Sequence, residues 1–230
     1  MLWRGRFECS LYVVRHADTL YIQESAPVRR SANLPREKFP LSAEGSEQSK
    51  KVGMYFRRNG IGFSWGFCTT AERSRRTLEE ILSEITDPPG ITESVFLDEK
   101  NEGLGGYFTP WEIDPVYPLQ PGYRRLAAFG KYASPRGENW ATMEARVDQF
   151  LTHLERIEPG GNVILVVHAS TAEMLKKVLY SEPADVFERR MTAMRASKSW
   201  PDNCSVTAYL PGWEERGPVT VTPWREAPET

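Results

Sequence analysis

Histidine and cysteine are scarce in this chain, three of each among 230 residues, and each scarcity closes off a class of protein. Cys9, Cys68 and Cys204 are odd in number and widely spaced, which suits a reducing compartment and excludes a disulfide framework. All three read as small buried hydrophobes. No apolar stretch approaches the roughly 20 residues that span a bilayer, so no membrane partner is expected. Arg4, Arg6 and Glu8 interrupt the opening residues, which lack the continuous apolar segment of a secretory signal; a cytoplasmic location is the expectation. Excess charge of one sign is missing too. A net charge of -2 offers no broad electrostatic surface to polymeric nucleic acid. There is no internal repeat and no low-complexity tract. What remains, at 40% hydrophobic and 26% charged residues, is a soluble globular chain, read as a single domain over 1–230 with a sizeable core.

Strand and helix signals alternate along it. Phe7 to Val14 reads as a strand, Ser42 to Arg58 as a helix closed by Asn59-Gly60, and Phe63 to Cys68 as a second strand. Thr70 to Ile85 reads as a helix stopped by Asp87-Pro88-Pro89-Gly90, and Ile91 to Leu97 as a third strand. Trp140, Met143, Val147, Phe150, Leu154 and Ile157 recur at helical steps over Glu138 to Ile157. Val163 to Val167 is a short, β-branched run, the mark of a strand buried on both faces. Helices over Thr171–Leu179 and Pro183–Arg195 follow, then a hairpin of Ser205–Leu210 and Val219–Pro223. Such alternation predicts an α/β fold, a three-layer α/β/α sandwich with a mostly parallel central sheet. Two stretches resist assignment: the polar loop 17–40 and the segment 101–137, the latter rich in Gly, Pro and aromatics such as Tyr107, Phe108, Trp111, Tyr117 and Tyr123. Together they are expected to form a substrate cap.

Two of the three histidines share one setting. The first apolar run ends Val13-Val14-Arg15-His16 and the most buried-looking one ends Val166-Val167-His168, so both imidazoles are delivered to a sheet edge, where α/β proteins keep their chemistry. Arg73 lies in the first turn after the second strand, and Asp98-Glu99 at the end of the third. Histidine, arginine and carboxylate converging on one edge suit an anionic group. The remaining histidine, His153, falls on the polar face of its helix with Gln149 and Arg156 and reads as solvated. His16, Asp18, Glu99 and His168 would also suit a metal in ligand type, but Arg15 and Arg73 would repel a dication. No metal and no cofactor is expected.

Six ordered motifs carry a resemblance. They are Arg15-His16-Ala17-Asp18-Thr19; Leu41-Ser42-Ala43-Glu44-Gly45-Ser46-Glu47-Gln48; Thr69 to Thr77 around Arg73; Leu97 to Gly103 around Glu99; Gly137-Glu138-Asn139; and Val167-His168-Ala169. In that order they resemble the histidine phosphatase superfamily, the branch of the phosphoglycerate mutases and many small phosphatases, over nearly the whole chain. The resemblance implies a phosphoglycerate mutase-like fold and a phosphomonoesterase. His16 would be the nucleophile that becomes a phosphohistidine. Arg15 and Arg73 would hold the phosphoryl oxygens, and the neighbouring cations would favour neutral His16. His168, Thr19 and Ala169 would add contacts to the same group, and Glu99 would be the general acid and base. Glu102, three residues on, is the rival for that last role. The expected partner is a small phosphorylated substrate; the oligomeric state is open, a homodimer among the options.

The chain departs from the family pattern at several positions. Ala17 and Ala169 stand where glycines are usual, Thr69-Thr70 where Ser-Pro is usual, and Ile22 where the mutases carry asparagine. A phosphoglycerate mutase-type transferase is therefore the second reading, and a phosphate-binding regulatory module without turnover, suggested by the replaced glycines, the third. Basic residues Arg29, Arg30, Arg36 and Lys38 in the first loop read as solvated.

Overall fold

In the computed structural model the description covers residues 9–20, 39–101, 136–157, 160–211 and 217–225. The apolar runs that the sequence offers as strands assemble into one six-stranded sheet. These are β1 (Leu11–Arg15), β2 (Trp65–Cys68), β3 (Ile91–Glu93), β4 (Val163–Val167), β5 (Val206–Tyr209) and β6 (Val219–Val221), ordered β3-β2-β4-β1-β5-β6. The four strands from β3 to β1 are parallel, and β5 and β6 add an antiparallel hairpin at the far edge.

Side-chain alternation explains the layers. Leu11 and Val13 of β1, with Val163, Leu165 and Val167 of β4, bury in one core with Met143, Phe150 and Leu175. Tyr12 and Val14, with Ile164 and Val166, bury in a second core with Val52, Phe56, Leu78 and Ile81. Helices α1 (Ala43–Arg58) and α2 (Glu72–Leu82) cover the second face; α3 (Trp140–Ile157), α4 (Ala169–Tyr180) and α5 (Ala184–Ser197) cover the first. A three-layer sandwich results, as the alternation of elements predicts. On the α1–α2 side the backbones approach closely at Gly53, where a Cβ would lie 2.4 Å from the Ile81 carbonyl oxygen. On the other side α4 is tied to α3 by Lys177–Glu144 and to α5 by Arg190 between Glu173 and Glu182.

Three expectations need adjusting. The third strand stops at Glu93, and Val95–Leu97 forms a 3-10 turn. The chain leaves this edge of the sheet because doing so buries Leu97 completely in the α3 core. The fourth helix begins at Ala169 rather than Thr171, with His168 at its N-cap position. Cys9, inside the strand expected over Phe7 to Val14, instead precedes β1; all three thiols are free and buried as expected. The cap expected from 17–40 and 101–137 falls largely outside the described residues, as do Ile22, Arg29, Arg30, Arg36, Lys38 and Glu102. Among the described residues no helix is long and apolar enough to cross a membrane.

Candidate active site

Register brings the two histidines together. β1 and β4 pair in parallel with Arg15 opposite Val167, so the next rung is His16 opposite His168. Counting by twos from Tyr12 and from Ile164 puts both imidazoles on the α2 face. Their ring centroids are 5.0 Å apart at 69°, and both rings are buried. The His16 N–H continues the ladder to the Val167 carbonyl at 2.9 Å.

Arg73, from the first turn of α2, closes the group. Its Nε donates to His16 Nε2 at 3.3 Å, and its Nη2 donates to His168 Nδ1 and to Glu99 Oε2, each at 3.2 Å. The partners fix the tautomers. His16 Nδ1 lies 2.7 Å from the Ala17 carbonyl, which can only accept, so the proton sits on Nδ1 and the Nε2 lone pair faces the site. His168 Nδ1 accepts from Arg73, so its Nε2 carries the proton and donates to Thr69 Oγ1 at 3.1 Å. Glu99 Oε2 is 3.9 Å from His168 Nδ1. His16, His168, Arg73 and Glu99 thus meet around one point.

The neighbouring motifs hold this point still. Ser42 caps α1, accepting from the Gly45 N–H at 3.0 Å, and donates to Asp18 Oδ2 at 2.8 Å. Gln48 Oε1 takes the Asp18 N–H at 3.1 Å. Gly45 is required because a Cβ there would sit 2.1 Å from the Asp18 carbonyl oxygen. Thr77 of α2 accepts the Ala17 N–H at 3.0 Å. From the hairpin side, Asn203 Nδ2 donates to the His16 carbonyl at 2.9 Å, and Trp224 Nε1 holds the Asn203 carbonyl at 2.7 Å. The loop after His16 is therefore pinned from three elements.

Glu99 is supported in the same way. The Asp98 carboxylate accepts both the N–H and the hydroxyl of Thr70 at 2.8 Å, and its carbonyl accepts from Thr171 at 3.0 Å. Arg146 of α3 donates to the carbonyls of Phe96 (2.7 Å) and Glu99 (3.3 Å) and grips Glu138 through two nitrogens. Glu138 in turn accepts the Asn101 N–H at 2.9 Å. Thr69, Asn203, Trp224 and Arg146 are contributors that the sequence reading missed. Thr69 lay inside a motif already singled out; Arg146 carried no signal toward Glu99, because the carbonyls it holds there are about fifty residues away and its nearer partner is the Glu138 side chain.

Other expected residues sit differently. Arg15 follows Leu11 and Val13 in parity, toward α4 and α5. Its Nη1 donates to the Pro201 carbonyl, and its Nε is buried without a partner. Burial pushes its pKa down, opposed by Glu99, Asp202 and Asp18. Arg15 and Ala169 line a cleft of about 270 Å³ that also reaches Glu99. Thr19 is buried and bridged to Leu41, so here its contribution is to the loop. Asp18 is spent on Ser42, and among the described residues no three His, Cys, Asp or Glu side chains cluster as metal ligands would. His153 is exposed on α3. Trp224 packs against its own core, while Trp213 lies outside the described residues.

A family model for the histidine phosphatase superfamily (branch 1) matches residues 11–215. The chain belongs to that superfamily. Among relatives, the adenosylcobalamin/α-ribazole phosphatase of Salmonella typhimurium is 26% identical over 179 residues, 76% of this chain and 81% of that protein. Among solved structures, the α-ribazole phosphatase of Shigella flexneri has a TM-score of 0.66 at 19% identity, covering 86% of this chain and 89% of the other. A mycobacterial glucosyl-3-phosphoglycerate phosphatase has a TM-score of 0.65 at 18% identity, covering 87% and 89%. These likenesses show the fold. In this chain alanine follows both His16 and His168. Neither Ala17 nor Ala169 is among the described residues with positive φ, so the extra methyl meets no backbone strain.

Proposed function

We propose that this superfamily member is a phosphomonoesterase working through a phosphohistidine on His16. The observation that carries the reading is the fixed tautomer of His16: the Ala17 carbonyl holds the Nδ1 proton, so the Nε2 lone pair faces Arg73, Glu99 and His168. An entering phosphoryl group takes the Arg73 donors for its oxygens and releases that lone pair. Nε2 then attacks phosphorus, the ester P–O bond breaks, and protonated Glu99 gives its proton to the departing oxygen. In the second half, water attacks phosphorus, Glu99 takes a water proton, and the P–N bond breaks with its electron pair returning to Nε2. Arg73, with Arg15 from the cleft side, offsets the charge of both transition states. The N-terminal amide of Ala169 on α4 adds a donor to the same oxygens, His168 joins it when its Nε2–H turns from Thr69 Oγ1 to the phosphoryl group, and Thr19 supports the loop that carries His16.

The named relatives are phosphatases of small phosphorylated compounds, which supports hydrolysis of a small monoester. The third reading, binding without turnover, loses its support, because the replaced glycines cost no strain. His16→Ala is expected to lower kcat on p-nitrophenyl phosphate by about 10³-fold or more, with inorganic phosphate as the product of the wild type. Full activity in His16→Ala would overturn the proposal. Isomer formation in place of phosphate release would select the mutase reading.

A further inference from the structure

The cleft beside Glu99 is larger and more cationic than one phosphoryl group requires. It shares Glu99, Arg15 and Ala169 with the site above and extends to Lys100, Arg195 and the indoles of Trp140 and Trp200. At about 270 Å³ it has room for a leaving group of several heavy atoms, since a water takes about 30 Å³. Its charge is one-sided. Among the described residues that line it, three cations, Arg15, Lys100 and Arg195, accompany a single carboxylate, and that carboxylate is paired with Arg73. The first turn of α4 adds its N-terminal dipole through Ala169 and Ser170.

Arg195 is the informative member. On the same helix Arg189 pairs with Asp185 at 2.8 Å, and Arg190 is held between Glu173 and Glu182. Arg195 has no ion-pair partner among the described residues, and no motif contains it. Across the cleft Lys100 lies over the Trp140 ring, Nζ 5.3 Å from its centroid, which holds that ammonium at the wall. Glu99, the group that would protonate the departing oxygen, touches Arg73 in the phosphoryl site and also lines this cleft.

We propose that the leaving group carries a second anionic group, a carboxylate or a second phosphate, received in this cleft by Arg195 and Lys100. The proposal rests on the phosphomonoesterase reading and narrows its substrate class. A charge-assisted contact of this kind selects one ligand over its neutral analogue by about tenfold or more.

The test is a kcat/KM panel on the full chain with three alkyl monophosphates of matched length. One ends in a hydroxyl, one in a carboxylate and one in a second phosphate; p-nitrophenyl phosphate is run alongside. The expected result is a preference of about tenfold or more for an acidic substrate over the hydroxyl analogue. That ratio should fall toward one in Arg195→Glu and be largely kept in Arg195→Lys, chiefly through KM. The carboxylate and bisphosphate arms identify which anion is preferred. Hydrolysis of p-nitrophenyl phosphate with equal rates on all three alkyl substrates, or a preference indifferent to Arg195→Glu, would overturn the subsite alone. No hydrolysis of any compound would overturn it together with the phosphomonoesterase reading.

Discussion

A general acid works only within hydrogen-bond reach of the departing oxygen, and Glu99 reaches that position through contacts made by others. Arg73 holds its carboxylate and Arg146 its backbone carbonyl, while Asp98, the residue before it, accepts two hydrogen bonds from Thr70 just ahead of α2. A proton donor matters most when the leaving group is a poor one. Glu99→Gln is therefore expected to cost about 10²–10⁴-fold in kcat on an alkyl phosphate and much less on p-nitrophenyl phosphate, whose phenolate leaves without help. Arg146→Ala should reproduce that leaving-group dependence in weaker form, losing about 10²-fold on the alkyl ester with a smaller change in KM. Equal losses on both esters would show that Arg146 acts on stability alone. The pairing of His16 with His168 was legible in the sequence because equal strand endings imply equal registers. The roles of Arg146 and Asn203 were not, because long-range contacts to carbonyls leave no local pattern.

Between residues and molecule lie the joints that aim the loop after His16. The segment Leu41 to Gln48 resembled a family motif without a visible purpose, and its geometry supplies one. Ser42 caps α1 and binds Asp18, Gln48 takes the Asp18 amide, and Gly45 lets the helix press against the Asp18 carbonyl. Helix propensity alone favours Gly45→Ala by about 1 kcal/mol. The 2.1 Å approach reverses the sign: overpacking against backbone costs about 1–3 kcal/mol. Gly45→Ala is expected to lower Tm by several degrees and to reduce kcat, because the loop carrying His16 must move; an unchanged Tm and kcat would refute the joint. The shortened third strand was illegible for a related reason. Ile91 to Leu97 is apolar at both ends and polar at Thr92-Glu93-Ser94, and the burial of Leu97 under α3 goes with the break into a 3-10 turn there.

At the scale of the molecule the sheet divides two cores, and period-two alternation in Leu11–Val14 and Val163–Val167 assigns every side chain to one of them. That much of the sandwich was readable, since a strand buried on both faces must be covered on both. The cores also decide the fate of the thiols. Burial pushes Cys68 and Cys204 up to about 12, from an ordinary value of 9.0, and raises Cys9 as well. In the unfolded chain Cys68 and Cys204 lose their protons at lower pH than in the folded one, so between about pH 9 and 12 the folded state binds more protons at these two thiols. Stability is then complete below about pH 9 and is lost as the pH climbs, by up to about 1.4 kcal/mol per pH unit for each thiol. Urea unfolding midpoints are expected to fall between pH 8.5 and 10.5. Because tyrosines and lysines titrate in the same range, the decisive quantity is the difference between wild type and Cys68→Ala/Cys204→Ala. The double variant starts lower at pH 8.5 through the two cavities and declines less steeply above it. Parallel declines would mean that the two thiols ionise in the folded protein as readily as in the unfolded chain.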